Sequence, residues 1–450
     1  MVTKDTINTT INVDGTKRGY SLQKLSGDAF CFFSLISYVD FGLNDLDAQP
    51  WPALFSTLYI IFLICSSSLR IPLFLVYALV LFFLGTAFSL LDTDEPFSHI
   101  AIRYLGGNYI FFTAFICFYS YIKSYGFPIK IFLYASFMWF AAGLLQILFS
   151  RDILSFLISA RGTDTLHVIR GAASLSQEPS HYARFLIIHT WIVIAAAGYK
   201  IRGVVLIIAI INILSIFVLC RAGYGIFASL AALAISSLYI AFSFKYSLKI
   251  LCFSAAIFIA LLLGYFVIFQ TKLIEDNRIT VIIFDFREKG VIQTLYDDIS
   301  ISNRLQDILY SQVLAFRNSY VPHGLDKYSD LAAGMSNEYS AYFKKPVLGA
   351  GNLEKEWNKM QTWLGRQVFI MGIFGVGFSM IILWSSYYGT LKSALKTFYL
   401  FLLMVGPLSV ASPYFPMLIA VLFLYKQNYM ASQKKNFSLN PMETSPPNSR

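Results

Sequence analysis

The sequence predicts an all-α, polytopic membrane bundle of about twelve spans with one large polar loop. Three observations carry this. Apolar residues make up 57% of the 450 and charged residues 13%, about half the charge that keeps a soluble domain hydrated, and mean hydropathy is +0.62. The apolar runs are continuous rather than alternating, so in lipid they satisfy their backbone groups as helices and not as barrel strands. Most also approach the roughly 20 residues that a helix needs to cross a bilayer.

In order, spans are predicted over 28–45, 52–69, 71–91, 105–122, 129–149, 182–199, 202–220, 222–243, 248–270, 365–387, 395–411 and 413–430. The first is short and interrupted by Asp40. Residues 1–27 form a polar tail on the inner side, with no apolar core of a cleaved signal peptide, so the first span directs insertion. Spans one to nine occupy 28–270, including an outside loop over 150–181. A domain-sized outside loop follows over 271–364, then spans ten to twelve over 365–430 and an inner tail over 431–450, disordered from Ser432. Within the large loop, Leu305, Ile308, Leu309, Val313 and Phe316 recur at helical spacing, and Pro322 and Gly324 signal a turn, so short helices are expected there.

Cations set the orientation, because short cytoplasmic loops retain Lys and Arg. With the N-terminus inside, Lys17, Arg18, Lys24, Arg70, Lys123, Lys130, Lys200, Arg202, Lys245, Lys249, Lys392, Lys396 and Lys426 all fall inside. The short outside connections carry Asp47, Asp92, Asp94 and Glu95 instead. Arg221, at the outer end of a span, breaks the pattern. The net charge of +10 forms no single stripe, which argues against nucleic acid and for topology plus an anion-handling site. Cys31, Cys65, Cys117, Cys220 and Cys252 fall in or beside apolar runs, so neither disulfides nor a cysteine metal site is expected.

The most informative string runs from Ser174 to Arg184 and contains Glu178-Pro179-Ser180. Pro179 suits the first turn of a helix, which puts Glu178 at the N-cap and Arg184 about a turn and a half below. Two readings stand side by side: Glu178 merely caps the helix, or it supplies a carboxylate at a helix start that attracts anions. Arg170, Arg184 and Arg221, with Arg304 and Arg317 in the large loop, form a second constellation. A membrane-edge arginine costs a few kcal/mol to insert and usually faces a polar cavity, and guanidinium matches phosphate bidentately. The competing reading is snorkelling for Arg221 and a solvated face for Arg304 and Arg317, which are taken to share one side of a helix. His323 sits in a Pro-His-Gly turn as a candidate base, whereas His189, deep in a span, reads as a helix-packing hydrogen bonder. No metal-ligand spacing or phosphate-binding glycine loop is present, so no metal and no cofactor are expected.

Taken in order, Glu178-Pro179-Ser180, the arginine of Cys220-Arg221-Ala222-Gly223, Asn303-Arg304-Leu305 and the Pro-x-x-Gly-x-Gly of 346–351 resemble the O-antigen polymerase family, Wzy, over about residues 100–425. The resemblance implies a GT-C-like, metal-independent glycosyltransferase in the bacterial inner membrane with its active site facing the periplasm. Its donor and acceptor would be undecaprenyl-diphosphate-linked oligosaccharide, with membrane lipid around it and no nucleic acid. Whether a polysaccharide chain-length regulator binds is left open. In that role Arg221 and Arg304, then Arg170, Arg184 and Arg317, would bind the diphosphate, and Glu178 first, His323 second, would act on the acceptor hydroxyl. Tyr310, Tyr320, Tyr328 and Trp357 are candidates for stacking on sugar rings. O-antigen ligases share the layout but tend to carry a histidine late in the large loop, and none follows Gly351 here. A flippase would be expected to have short loops and a polar midplane.

Overall fold

The computed structural model describes residues 21–39, 49–94, 99–154, 156–158, 171–220, 222, 225, 228–229, 231–236, 287–290, 293, 299–339, 360, 362–406, 408 and 411–439. Among these the architecture is all helical, without a strand. The helices are α1 Leu22–Leu35, α2 Trp51–Cys65, α3 Leu73–Leu91, α4 His99–Tyr125, α5 Ile129–Leu148, α6 Pro179–Ala196 and α7 Val204–Leu214. They are followed by α8 Ile299–Arg317, α9 Tyr328–Glu338, α10 Trp363–Met371, α11 Ile373–Ser386, α12 Leu391–Val405 and α13 Tyr414–Leu439.

Three of them, α3, α5 and α4 from Ala101 onward, are long and apolar enough to cross a membrane, and the chain is a membrane protein on that evidence. Their outer faces support it. On α3 the residues Val76, Val80, Phe83, Leu84 and Phe88 are exposed, as are Ile207, Ile210 and Ile213 on α7, a continuous apolar surface that water would not tolerate and lipid requires. α4 is the central helix: 78% of its apolar window is buried, against 39% in α3 and α5. Its Phe111, Phe115 and Phe118 are fully buried; they meet the rings of α11 and α13 edge-on or tilted, and Phe118 stacks on Phe132 of α5. Small residues allow the close crossings. A Cβ on Gly27 would fall 2.4 Å from Tyr121, and one on Gly85 2.6 Å from Met371.

Several predicted boundaries move. α1 begins six residues before position 28, at Leu22, where the Ser21 hydroxyl accepts from the Lys24 amide. The span predicted over 365–387 is two helices, α10 and α11, broken at Gly372. There φ is +55 and ψ −130, a conformation open to glycine alone. α13 continues as helix to Leu439, past the point where disorder is predicted to begin. The predicted span over 248–270 lies outside the described residues.

Helices do stand in the large loop. α8 packs on α10, and the residues it buries are Gln306, Tyr310, Ser311, Leu314 and Ala315. The apolar face read from the sequence was turned too far: Phe316, counted within it, is 70% exposed.

Candidate functional site

The site is built around the entry to α6. The loop before it, from Gly171, runs back into the bundle rather than over its surface. Ser174 is fully buried at φ +55, and its backbone groups are satisfied by one side chain. Its N–H donates to Gln146 Oε1 (2.7 Å), and Gln146 Nε2 donates back to the Ser174 carbonyl (3.1 Å). Ser174 Oγ and the Tyr182 hydroxyl both donate to the carbonyl of Trp139, at 2.5 and 2.9 Å. Trp139 organises this corner. Its ring stacks on Tyr182 and Phe185, and its Nε1 donates to the Leu35 carbonyl, fixing the end of α1.

These contacts also set the register. Phe132 stacks on His189 and Trp139 on Tyr182, and extending that antiparallel register places Glu178 level with Gly143, about 7 Å short of the C-terminal end of α5. Arg184 lies another six residues down, about halfway along that helix. The helix therefore starts within the length of α5.

Pro179 is the first residue of α6 and Glu178 its N-cap, as the sequence predicts, but the Glu178 side chain makes no cap hydrogen bond. Instead Ser180 Oγ donates to Glu178 Oε2 (3.0 Å). Arg184, 7% exposed, reaches back up the helix, with Nε donating to the Ser180 carbonyl (3.2 Å) and Nη2 to Ser180 Oγ (3.4 Å). Ser180 thus couples a carboxylate to a buried guanidinium. Tyr38, from the turn after α1, lies within electrostatic reach of Arg184, and its hydroxyl shares a 2.6 Å hydrogen bond with that of Tyr414 at the start of α13. The His181 ring lies 5.5 Å from that of Tyr38. Chemically, the cluster offers an anion-binding donor, a proton acceptor and hydroxyls that relay between them.

Arg170 and Arg221 lie outside the described residues. Their chain neighbours, Gly171 and Cys220, are in contact: a Cβ at Gly171 would fall 2.1 Å from the Leu219 carbonyl oxygen and 2.2 Å from that of Cys220. Ala172 N–H donates to the same Leu219 carbonyl (2.8 Å). This end of α7 unwinds into a π-helix over Ser215–Cys220, a form that recurs at functional sites. Arg304 is placed on α8, but its side chain is not described. Thirteen residues make about 3.6 turns, so positions 304 and 317 stand on nearly opposite faces and the shared face expected of them is wrong. Arg317 is exposed and held bidentately by Glu338 of α9, at 2.7 and 2.5 Å. That pair raises the arginine above its ordinary pKa and holds the carboxylate below its own.

His323 serves as a pin. Its ring stacks on Phe369 at 4.4 Å, its N–H donates to the Phe369 carbonyl (3.3 Å) and its carbonyl accepts from Ser89 Oγ (2.6 Å). Around it, Gly324 N–H donates to Asp92 Oδ2 (2.8 Å), Leu325 N–H to Thr93 Oγ1 (2.9 Å), and Lys327 pairs with Asp94. Burial lowers the pKa of His323, opposed by a hydrogen bond to the Leu314 backbone and by Asp92. His189 does what its position predicts: Asn212 Nδ2 bridges its Nδ1 (3.0 Å) and Thr190 Oγ1 (2.8 Å), tying α6 to α7. Tyr310 and Tyr328 are buried in packing, not free to stack on a sugar, and Trp357 lies outside the described residues.

Sequence reasoning missed Tyr38, Trp139 and Tyr414, and gave no separate role to Ser180 of the Glu178-Pro179-Ser180 string. One signal was available for Trp139, since a tryptophan in mid-span, away from the interfacial belts, needs an internal partner for its N–H. No known protein family matches the chain, and comparison with curated proteins finds no match.

Proposed function

We propose that this protein is a glycosyltransferase of the O-antigen polymerase type, joining lipid-diphosphate-linked oligosaccharide units at the outer face of a bacterial inner membrane. The observation that supports this most is the Glu178–Ser180–Arg184 relay, a carboxylate coupled to a buried arginine at the start of an apolar helix. In the proposed reaction an acceptor sugar hydroxyl attacks the anomeric carbon of the growing chain. Its proton passes to the Glu178 carboxylate. The bond from the anomeric carbon to the diphosphate oxygen breaks with its electron pair on that oxygen, and fixed guanidinium groups take up the charge in a partly dehydrated site. Arg184 is one such group. Arg221 and Arg170 are proposed as others because their neighbours Cys220 and Gly171 touch. Arg304 is proposed as a lid on α8, and Arg317, occupied by Glu338, is given up as a ligand.

The test is the lipopolysaccharide made by cells that lack the wild-type gene. A deletion strain should display lipopolysaccharide capped with a single repeat unit, and complementation with Arg221→Ala or Arg304→Ala, shown to be inserted at normal level, should leave that pattern. Lipopolysaccharide without any repeat unit in the deletion strain would point to a ligase or a flippase instead. Long chains in both variants would remove the diphosphate role.

A further inference from the structure

At the end of the bundle opposite Glu178, a second constellation is independent of the proposed reaction. α13 starts beside the relay at Tyr414 and reaches Tyr425 and Lys426 about 17 Å further along, and α6 ends there in a turn containing Tyr199 at φ +64. Around these turns, lysines from several helices lie on aromatic rings. Lys396 Nζ, from α12, is 3.4 Å from the centre of the Tyr199 ring and 4.3 Å from that of Tyr425, and it donates to the Tyr388 hydroxyl at 3.1 Å. Lys392, one turn earlier, is 4.9 Å from the same Tyr199 ring. Lys426 is 3.9 Å from the Trp384 ring and donates to the Trp384 carbonyl at 2.8 Å. Lys123, at the end of α4, lies 4.4 Å over Tyr119, whose hydroxyl in turn donates to Gln427 of α13.

The rings hold the lysine side chains in place through cation–π contact. A lysine head group has three donors, and Lys396 and Lys426 spend one each on the hydrogen bonds just given, so these two keep donors for an oxyanion. Asp28, the carboxylate described at this end, accepts from Tyr121 on a different face of α4 from Tyr119. Lys392, Lys396 and Lys426 are half-buried among tyrosine and tryptophan, the chemistry of the headgroup layer rather than of bulk water or the hydrocarbon core.

We infer that this lysine–aromatic junction, with Lys396 and Lys426 as its donors and Lys392 adding charge beside them, is a binding site for the phosphodiester headgroup of an anionic phospholipid in the leaflet on that side. It would clamp α12 and α13 to the end of α6.

The experiment uses the full chain purified in a neutral detergent. It is titrated with phosphatidylglycerol, with phosphatidylcholine and with inorganic phosphate, reading lipid adducts by native mass spectrometry and the melting midpoint in parallel. The expected result is retained phosphatidylglycerol and a raised midpoint, with phosphatidylcholine at least tenfold weaker and inorganic phosphate without effect. Lys392→Gln with Lys426→Gln should weaken phosphatidylglycerol at least tenfold while leaving phosphatidylcholine unchanged. Because Lys396→Gln risks emptying its aromatic cage, Lys396→Arg is the paired control and should retain binding. Equal binding of the two lipids, wild-type binding by the double variant, or displacement of phosphatidylglycerol by millimolar phosphate would each overturn the site.

Discussion

Glu178 occupies the N-cap of α6 without spending its carboxylate on the helix, because Ser180 engages that carboxylate instead. That separates the two readings which the sequence leaves side by side. A capping side chain would accept from the amide at the second or third helical position and be occupied, whereas this one is linked through a hydroxyl to a buried arginine. Glu178→Gln keeps an oxygen for the Ser180 hydroxyl and removes the proton acceptor. On the proposed function, transfer to a lipid-linked unit by the purified protein should therefore fall by about 10²- to 10⁴-fold, with retention of the lipid-linked donor within a few-fold of wild type. Turnover equal to wild type would return Glu178 to a helix-start residue. His323→Gln, in the same assay, should stay within a few-fold, since the His323 ring is engaged with Phe369 and lies in a loop pin. The string around Glu178 was legible because proline at a helix start has a local cause. Tyr38 and Tyr414 were not legible, because 376 positions separate them and only tertiary packing brings their hydroxyls to 2.6 Å.

Among the elements, the break between α10 and α11 shows where hydropathy loses resolution. A window over 365–387 is predominantly apolar after Arg366 and Gln367, so it reads as one span, yet a single glycine at φ +55 splits it. The split frees the Ile373 amide to donate to the Tyr320 carbonyl (2.8 Å), which ties the segment after α8 to the start of α11. It also lets α10 carry the buried Gln367 to α4, where it accepts from the Tyr104 hydroxyl (2.9 Å) and donates to Asn108 Oδ1 (3.2 Å). A Cβ at Gly372 would meet the Tyr320 oxygen at 2.1 Å. Gly372→Ala should therefore cost about 1–3 kcal/mol in backbone strain alone, with more from displacing Tyr320, seen as a melting midpoint lowered by several degrees in detergent. An unchanged midpoint would mean that the break relaxes into a continuous helix. The face of α8 failed for a different reason. Its buried stripe includes Gln306 and Ser311, polar residues that an apolar count passes over, so the count turned toward Phe316 instead.

For the whole molecule, composition and run length were enough to establish helices in a membrane, because lipid leaves the backbone few alternatives. They did not reveal how the large loop is tied to the bundle. That tie is the turn over 320–327, joined to the end of α3 by Ser89, Asp92, Thr93 and Asp94 and to α10 by Phe369. The groups there titrate in separate ranges. Lys327 is raised above its ordinary value by the Asp94 pair, so its contribution is present throughout mild pH and is lost only in strong base. Glu338, held below its ordinary value by Arg317, contributes above the normal carboxylate range and loses that contribution only as pH falls through its lowered pKa. His323 is the group that responds between. Its pKa in the folded state is lowered by burial, so the unfolded turn takes up a proton first and stability rises with pH across that interval. The tie is whole above about pH 6.5 and weakens as pH falls below the ordinary histidine value toward the lowered one. Hydrogen exchange of 320–327 should accordingly speed up between pH 7.5 and 5 once corrected for the intrinsic pH dependence of exchange. His323→Phe, which keeps a ring for the stack on Phe369 and cannot be protonated, should remove that acceleration. Acceleration of the same size in His323→Phe would leave His323 a packing residue.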